Sequence, residues 1–418
     1  MAQDAIYVPL FTYRTGAFAG SGIPVAAGMS DYLRMLNERD GGVGGVKLNI
    51  GECETAYDTK KGVECYEKVK SEKPIVVNPY STGIALQLIP RAAVDKIPVL
   101  TVAYGLSAAA DGRIFPWVFN LPTTYWDQLS VFIKYAAEKE GGLQKLKGKK
   151  IGLLYLDSPY GKEPIPLLEM LAKELGFDAK LYPVAAQDMQ NQGSVWLNIR
   201  RDRPDWIYLQ GYGAMNPTAV KEAVKSNFPI DRLVANVWSG GDDDARAGGP
   251  EAKGFKALKF HVPSAAFPVI KDIQKYIVEK GLSKYPADKV GDSIYNLGVY
   301  NSMIIAEAIR NAQKITGKKV IDGDDMRRGL ETLNITEARL KEMGLEGFAT
   351  AIKVTCDDHN GHHKLYVSDW DGTKWVKASD WIEPMTDKVR PLLEAAAREY
   401  ATNNVGWPQR SIACDKTP

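Results

Sequence analysis

The chain has 418 residues, 45% of them apolar and 25% charged, with a formal net charge of +2. That length exceeds one ordinary hydrophobic core and suits two domains of about 150–200 residues each. The balanced charge, with no long run of one sign, argues against a nucleic-acid binder, and no apolar run approaches the roughly 18 residues of a membrane span.

The first residues, Met1-Ala2-Gln3-Asp4-Ala5, lead straight into a strand predicted at 6–11. Small residues ahead of an immediate fold match a mature exported protein whose signal peptide has been removed, with Met1 an added start; the expected location is the periplasm. Further strands are predicted at 46–51, 75–77, 99–103, 151–155, 178–183, 206–209 and 233–237 from short apolar runs. Between them, Val25, Met29, Leu33 and Leu36 recur at helical spacing, as do Leu167, Leu168, Leu171 and Leu175, which stop at Gly176. Strand alternating with helix predicts an α/β fold: parallel sheets with helices on both faces. The series breaks near 120–126 and restarts at Ile151 after the basic stretch 145–150, read as a connector or a solvated turn. Two long helices are expected at about 266–280 and 290–315. A β-like stretch follows at 351–367, with a hairpin signal at Asn360-Gly361, and a last amphipathic helix at 388–400.

The turns that follow the strands carry the chemistry. Thr15-Gly16-Ala17-Phe18-Ala19-Gly20-Ser21-Gly22 lies between the first strand and the first helix. Glycines let a backbone approach a guest, and a helix N-terminus offers N–H groups and a positive dipole end, which suit a carboxylate. It is neither a dinucleotide fingerprint nor a P-loop; a plain strand-to-helix turn is the plainer reading. Asn78-Pro79-Tyr80-Ser81-Thr82-Gly83 and Ala103-Tyr104-Gly105-Leu106-Ser107 follow the next strands, and the hydroxyls of Ser81 and Thr82 suit a helix cap or an anion. The second half repeats the pattern in Asp157-Ser158-Pro159-Tyr160-Gly161-Lys162, Gln210-Gly211-Tyr212-Gly213 and Asn236-Val237-Trp238-Ser239-Gly240-Gly241. Open α/β sheets bind ligands at such strand ends, and Tyr160, Tyr212 and Trp238 have faces on which a flat guest can stack.

Four cysteines, none in a CxxC pair, fit two disulfides between near neighbours, Cys53–Cys65 and Cys356–Cys414, or four buried thiols. The run Asp357-Asp358-His359-Asn360-Gly361-His362-His363 has metal-binding residue types, but Asn-Gly favours a solvated turn, so no metal and no cofactor are expected. Asp242-Asp243-Asp244 reads as a solvated acidic loop. Enzyme motifs are missing: no Gly-x-Ser-x-Gly elbow and no His-Glu-x-x-His, and the chain is not expected to be an enzyme.

From residue 5 to about 380 these turns resemble the type I periplasmic binding proteins of the leucine/isoleucine/valine-binding family. The first glycine-rich loop carries the likeness, with the helix exit Asn37-Glu38-Arg39-Asp40-Gly41-Gly42-Val43-Gly44-Gly45, Asp157 through Gly161, Gln210-Gly211-Tyr212 and Asp358-His359-Asn360-Gly361. The resemblance implies two α/β lobes joined by three crossovers, with a ligand trapped when the lobes close. It assigns 5–121 and 263–350 to the first lobe, 122–262 and 351–380 to the second, and 381–418 to a C-terminal tail. Hinges are expected near 119–124, 261–265 and 351–355. Ligand contacts are implied at Phe18, Ser21, Ser81, Thr82, Gly105 and Ser107 in the first lobe, at Tyr160, Tyr212, Trp238 and Ser239 in the second, and at Tyr295. Amino-acid binders of the family carry an acid for the ligand's ammonium on the loop here read as Val237-Trp238-Ser239, with Asp242 three or more residues away. A carboxylate without an α-amino group, aromatic or aliphatic, is therefore the expected ligand, since a buried unpaired ammonium is costly. The implied partner is the permease of an ABC importer, and the protein is expected to be a monomer. The alternatives are a branched-chain or other amino-acid binder, an amide or ligand sensor of the same fold, and an enzyme using Asp157 or Asp242.

Overall fold

In a computed structural model of the chain, residues 5–361, 364–408, 410 and 412–414 are described. They fall into two compact units. The first runs to Thr124, from His261 to Gly361 and again from Leu393; the second covers Tyr125–Phe260 and Lys364–Leu392.

The first unit opens with β1 (Ile6–Thr12), α1 (Ala19–Asp40), β2 (Leu48–Glu54), α2 (Thr59–Lys70), α3 (Thr82–Asp95), β3 (Val99–Val102) and β4 (Val118–Leu121). β1 pairs in parallel with β2, and β3 with β4. Residues 75–77 link the two pairs through Ile75 N–H to Tyr7 O (3.2 Å), Val77 N–H to Pro98 O (2.9 Å) and Leu100 N–H to Val77 O (3.0 Å). The strand predicted there is thus a short parallel bridge, not a full strand. Gly41 ends α1 in the left-handed conformation (φ 74°), where glycine has no Cβ penalty, and its N–H donates to Leu36 O.

The second unit is built from α4 (Tyr125–Glu140), β5 (Lys150–Leu156), α5 (Pro159–Lys162), α6 (Ile165–Leu175), β6 (Asp178–Val184), α7 (Gly193–Asp202), β7 (Trp206–Gln210), α8 (Met215–Lys225), β8 (Leu233–Ala235), α9 (Asp242–Arg246) and β9 (Lys256–Lys259). The basic stretch at 145–150 connects α4 to β5 inside this unit, so it is not the link between units. The chain changes unit at Thr124/Tyr125 and Phe260/His261.

Back in the first unit come α10 (Pro268–Ile273), α11 (Ser293–Thr316), α12 (Gly323–Glu331), β10 (Asn334–Ile335), α13 (Glu337–Glu342) and β11 (Ile352–Lys353). α11 lies against α1 at a distance only glycine permits. A Cβ on Gly28 would run into the carbonyl oxygen of Tyr295, and one on Gly298 into that of Val25. β12 (Tyr366–Trp370) and β13 (Trp375–Lys377) then extend the second sheet, whose order is β13-β12-β9-β8-β7-β5-β6, parallel from β9 to β6 and antiparallel at β12 and β13. α14 (Thr386–Asn403) closes the chain, and the last change of unit, at Leu392/Leu393, falls within it. It adds a crossing to the expected three and divides the segment read as a tail between the units.

Two expectations near residue 360 are corrected. Asn360-Gly361 does not turn a hairpin: β11 pairs back with β10, and the hairpin of this region is β12–β13, turning at 371–374. Nor is the turn solvated. His359 is fully buried, its Nδ1 2.7 Å from Val118 O and its Nε2 3.2 Å from Glu331, and it stacks on Phe119 at 4.1 Å. These bonds hold 351–361 in the first unit, so the change of unit expected at 351–355 lies after Gly361. His362 and His363 lie outside the described residues, among which no group of three or more metal-binding side chains occurs.

Both disulfides are present, both in the first unit. Cys53–Cys65 ties the end of β2 to α2 (Cα–Cα 5.9 Å), and Cys356–Cys414 ties the segment after β11 to the C-terminal end (5.4 Å). Chain-entropy arguments give about 3 and about 4 kcal/mol for loops of these lengths. The C-terminal segment is also held by Trp407 Nε1–H to Ile114 O (2.6 Å), Arg410 Nε–H to Gly112 O (2.7 Å), and edge contacts of Trp407 with Phe115 and Tyr400. Arg410 and His359 both reach Glu331. Burial alone would raise the Glu331 carboxyl, but these hydrogen bonds outweigh it and hold it down at about 2.

Candidate functional site

Each unit gathers its polar turns at the C-terminal ends of its parallel strands. In the first unit, Phe18 stands at the N-terminal end of α1 with its ring 4.2 Å from Tyr57. Ser21 is buried in the first turn of that helix rather than in a loop before it. Gly22, read as an opening for a guest, faces the Tyr13 carbonyl, which a Cβ would strike. Ser81 caps α3: its Oγ accepts from Ile84 N–H at 3.4 Å, and Thr82 is the first helical residue. Ser107 opens a 3-10 turn over 107–110, and Gly105 holds φ 103°. The three hydroxyls are buried. Tyr104 orders two of these turns: its hydroxyl accepts from Tyr80 N–H (2.7 Å) and donates to the Asn78 side-chain Oδ1, and its ring stacks on Tyr80 at 6.0 Å. The amide of Asn78 in turn donates to Asn301 (2.9 Å). Tyr295 lies elsewhere in this unit. Its hydroxyl donates to the buried Asp31 (2.9 Å) and its ring stacks on Tyr285 (5.3 Å), which fixes it in the α1–α11 packing. Burial leads the rise in the Asp31 pKa, and the hydrogen bonds from Ser283 and Tyr295 oppose it.

In the second unit the four residues named from sequence come together around Asn236. Asn236 Nδ2 donates to Tyr160 Oη (2.9 Å) and to Gln210 Oε1 (2.6 Å), and its Oδ1 accepts from Trp238 N–H (2.9 Å). Tyr160 Oη donates to Gly211 O (2.9 Å). Ser239 Oγ lies 2.5 Å from the same carbonyl and 2.8 Å from Asn236 Oδ1. The rings of Tyr160 and Tyr212 are 5.8 Å apart, and those of Tyr212 and Trp238 6.0 Å apart in an edge arrangement at 85°. Burial pushes the Tyr160 hydroxyl well above its ordinary range, so it stays a neutral donor.

Beneath this loop lies a charged group the sequence reading missed. Lys259, the last residue of β9, is fully buried; its Nζ donates to Gly240 O (2.5 Å) and sits 4.7 Å from the Trp375 ring. Burial pulls its pKa down to about 8 against the opposing pull of Asp242 and Asp244. Asp244, part-buried, accepts from Gly241 N–H (3.0 Å) and Asn216 Nδ2 (3.2 Å), and burial raises it to about 7 in spite of those bonds. Asp242 is therefore buried and Asp244 half-buried in the unit, and only Asp243 of the acidic run is exposed as a solvated loop would be. No strand is predicted at Lys256–Lys259 from sequence; in the fold β9 lies between β8 and β12, with Lys259 opposite Tyr366 and buried there.

Residues 5–374 match the family model described as periplasmic binding protein. The chain belongs to the periplasmic binding protein family. The type I fold expected from the strand-end turns holds for it. No curated protein sequence matches the chain. Among solved structures, one described as an ABC transporter permease from the Pseudomonas fluorescens group is 39% identical over 98% of this chain and 100% of its own, with a TM-score of 0.89. A branched-chain amino acid ABC transporter protein from Thermus thermophilus with bound valine shares the fold at 22% identity and TM-score 0.79, over 94% of this chain and 99% of its own. A solute-binding protein from R. palustris in complex with benzoate shares it at 18% identity and TM-score 0.70, over 91% and 97%. Among the described residues of this periplasmic binding protein, no helix is long and apolar enough to cross a membrane.

Proposed function

We propose that the protein is the periplasmic solute-binding component of an ABC importer, working as a monomer with a permease, and that it binds rather than transforms its ligand. The ligand we propose is a small organic carboxylate, aromatic or aliphatic, without an α-amino group. The observation that carries this reading is the set of buried hydroxyls, Ser81, Thr82 and Ser107, at helix and turn starts of the first unit. Hydroxyls and N–H groups at such positions donate to an anion. Phe18, Ser21 and Gly105 complete the first unit's share of the proposed contacts. Tyr160, Tyr212, Trp238 and Ser239 supply an aromatic counterpart on the second unit, and the turns of both units take one guest on closure, as in hinge capture. Tyr295, held by Asp31, is a further contact on this reading. The benzoate-bound neighbour supports a carboxylate; the valine-bound neighbour favours the second reading, an amino acid.

Thermal shift and calorimetry with paired ligands separate the two. Benzoate, 3-phenylpropanoate and 4-methylpentanoate are expected to raise the melting temperature, since a ligand at about 100 times its Kd adds about 2.7 kcal/mol. Phenylalanine, leucine and valine are expected to leave it unchanged. Tight amino-acid binding without binding of the acids would replace this reading by the second.

A further inference from the structure

Backbone strain collects in one part of the molecule. Among the described residues, a left-handed conformation in a residue other than glycine occurs just past helix ends, at Lys73, Lys96, Arg203 and Asn227, where it is common. Its other instances, Ala56 (φ 51°), Tyr57 (φ 62°), Tyr80 (φ 52°) and Ala103 (φ 60°), all stand in strand-end turns of the first unit. Those strands run parallel, so their turns gather at one end of the unit.

Ala56 and Tyr57 are consecutive. A left-handed residue with a bulky side chain persists only where its surroundings over-determine it, and this turn is pinned at both ends. Thr55, fully buried, donates its N–H (2.7 Å) and its hydroxyl (3.1 Å) to Thr12 O at the end of β1, and its Oγ1 accepts from Tyr57 N–H (3.1 Å). Asp58 donates its N–H to Thr55 O (2.9 Å) and caps α2 by accepting from Lys61 N–H (2.8 Å). Glycine would take the conformation at position 57 without steric cost, yet the residue there is a tyrosine. Its ring lies 4.2 Å from that of Phe18, tilted by 32°, and meets the buried Tyr13 edge-on at 5.0 Å. Gly22 of α1 packs so closely on Tyr13 that a Cβ there would strike its carbonyl oxygen and its ring. Phe18 and Tyr57 are themselves only half-buried. The pair therefore shows aromatic surface at the strand ends, on a fixed support.

We infer that Tyr57 is a specificity-determining residue: with Phe18 it forms an aromatic platform on which the apolar body of the guest lies, and it makes the protein prefer an aromatic acid to an aliphatic one. A flat ring offers the platform a face or an edge of complementary charge distribution, which a saturated ring of similar size does not. The inference deepens the carboxylate reading and rests on it.

The test uses 3-phenylpropanoate and 3-cyclohexylpropanoate, which share the carboxylate and its spacing and differ in the ring. Calorimetry on the full chain gives their affinity ratio, expected to favour the phenyl acid in the wild type. Tyr57→Asn removes the ring and keeps a residue that tolerates the left-handed conformation. It is expected to lower the ratio by about three- to tenfold, the worth of one aromatic contact, while Tyr57→Phe keeps it. A merely structural role would weaken both acids alike. An unchanged ratio in folded Tyr57→Asn, whether the two affinities are kept or fall together, overturns the role of Tyr57 and leaves the carboxylate reading standing; so does a wild type that prefers the cyclohexyl acid. A wild type that binds neither acid overturns that reading and the inference with it. Should Tyr57→Asn fail to fold, Phe18→Leu, which removes the other half of the platform, is expected to lower the ratio in the same way, and an unchanged ratio there overturns the inference.

Discussion

The strand-end turns of the two units solve the problem of buried polarity differently. In the second unit the polar side chains bond one another: Asn236 alone reaches Gln210, Tyr160 and the Trp238 N–H, and Lys259 is buried with its counter-charges. In the first unit a Tyr104–Asn78–Asn301 chain of bonds also occurs, but the hydroxyl side chains serve helix and turn starts. Ser81 caps α3, Thr82 is its first residue, and Ser107 opens a 3-10 turn. The second arrangement is a closed network whose loss is felt as stability. The first seats hydroxyls at helix and turn starts, and on the proposed reading its loss is expected to show as affinity.

The largest effect is expected at Asn236. Asn236→Leu strips partners from Gln210, Tyr160 and the Trp238 N–H at once; at about 1–3 kcal/mol for each buried group left unpaired, the loss is expected to be about 3–5 kcal/mol in urea unfolding. A cost under about 1 kcal/mol would break the comparison.

The charged part of the network makes stability depend on pH in a defined direction. Asp244 has a native pKa of about 7, above its ordinary value, so the native state holds a proton that the unfolded chain has released. Its contribution is complete below about pH 4 and is lost as the pH rises through 7. Lys259, lowered to about 8, works in the opposite sense: the native state binds fewer protons than the unfolded chain above that pH, and stability recovers as pH rises from about 8 toward 10.5. Asp244→Asn is expected to flatten the fall between pH 4 and 7, by about 2 kcal/mol for this part-buried group. Chemical denaturation at a series of pH values reads it directly.

The first unit should respond at the turns proposed to bind the ligand. Ser81→Ala and Ser107→Ala are each expected to weaken the best carboxylate by about tenfold, the worth of one hydrogen bond to a charged group. Ser81→Ala should also lower stability by about 1 kcal/mol through the lost cap. Calorimetry and melting curves on the same samples separate the two. Ser239→Ala sharpens the contrast, because it should cost stability through Asn236 and Gly211 with a smaller change in affinity.

Much of this organisation was visible in the chain before folding. The βα alternation, the turn positions and both cysteine pairings were legible, because strand runs, helical spacing and glycine stops are local properties. Tyr160, Tyr212, Trp238 and Ser239 were legible as residues of strand-end turns, and the second sheet gathers them around Asn236. β4 and β9 were not, being four residues long and defined by distant partners. Asn360-Gly361 misled, because the dipeptide reports a turn and not what buries it. Tyr295 was singled out by resemblance, and its hydroxyl is occupied by Asp31.

The sequence by itself determined the α/β class, the family and the position of the strand-end turns, since periodicity and glycine-rich turns act over a few residues. Only the tertiary structure decided which charges are available there. Lys259 and the Asp242–Asp244 run are far enough apart in the chain that no local pattern links them. Placing β9 between β8 and β12 buries Lys259 in a poorly solvated place, where its charge must find a partner, and the Gly240 carbonyl supplies one.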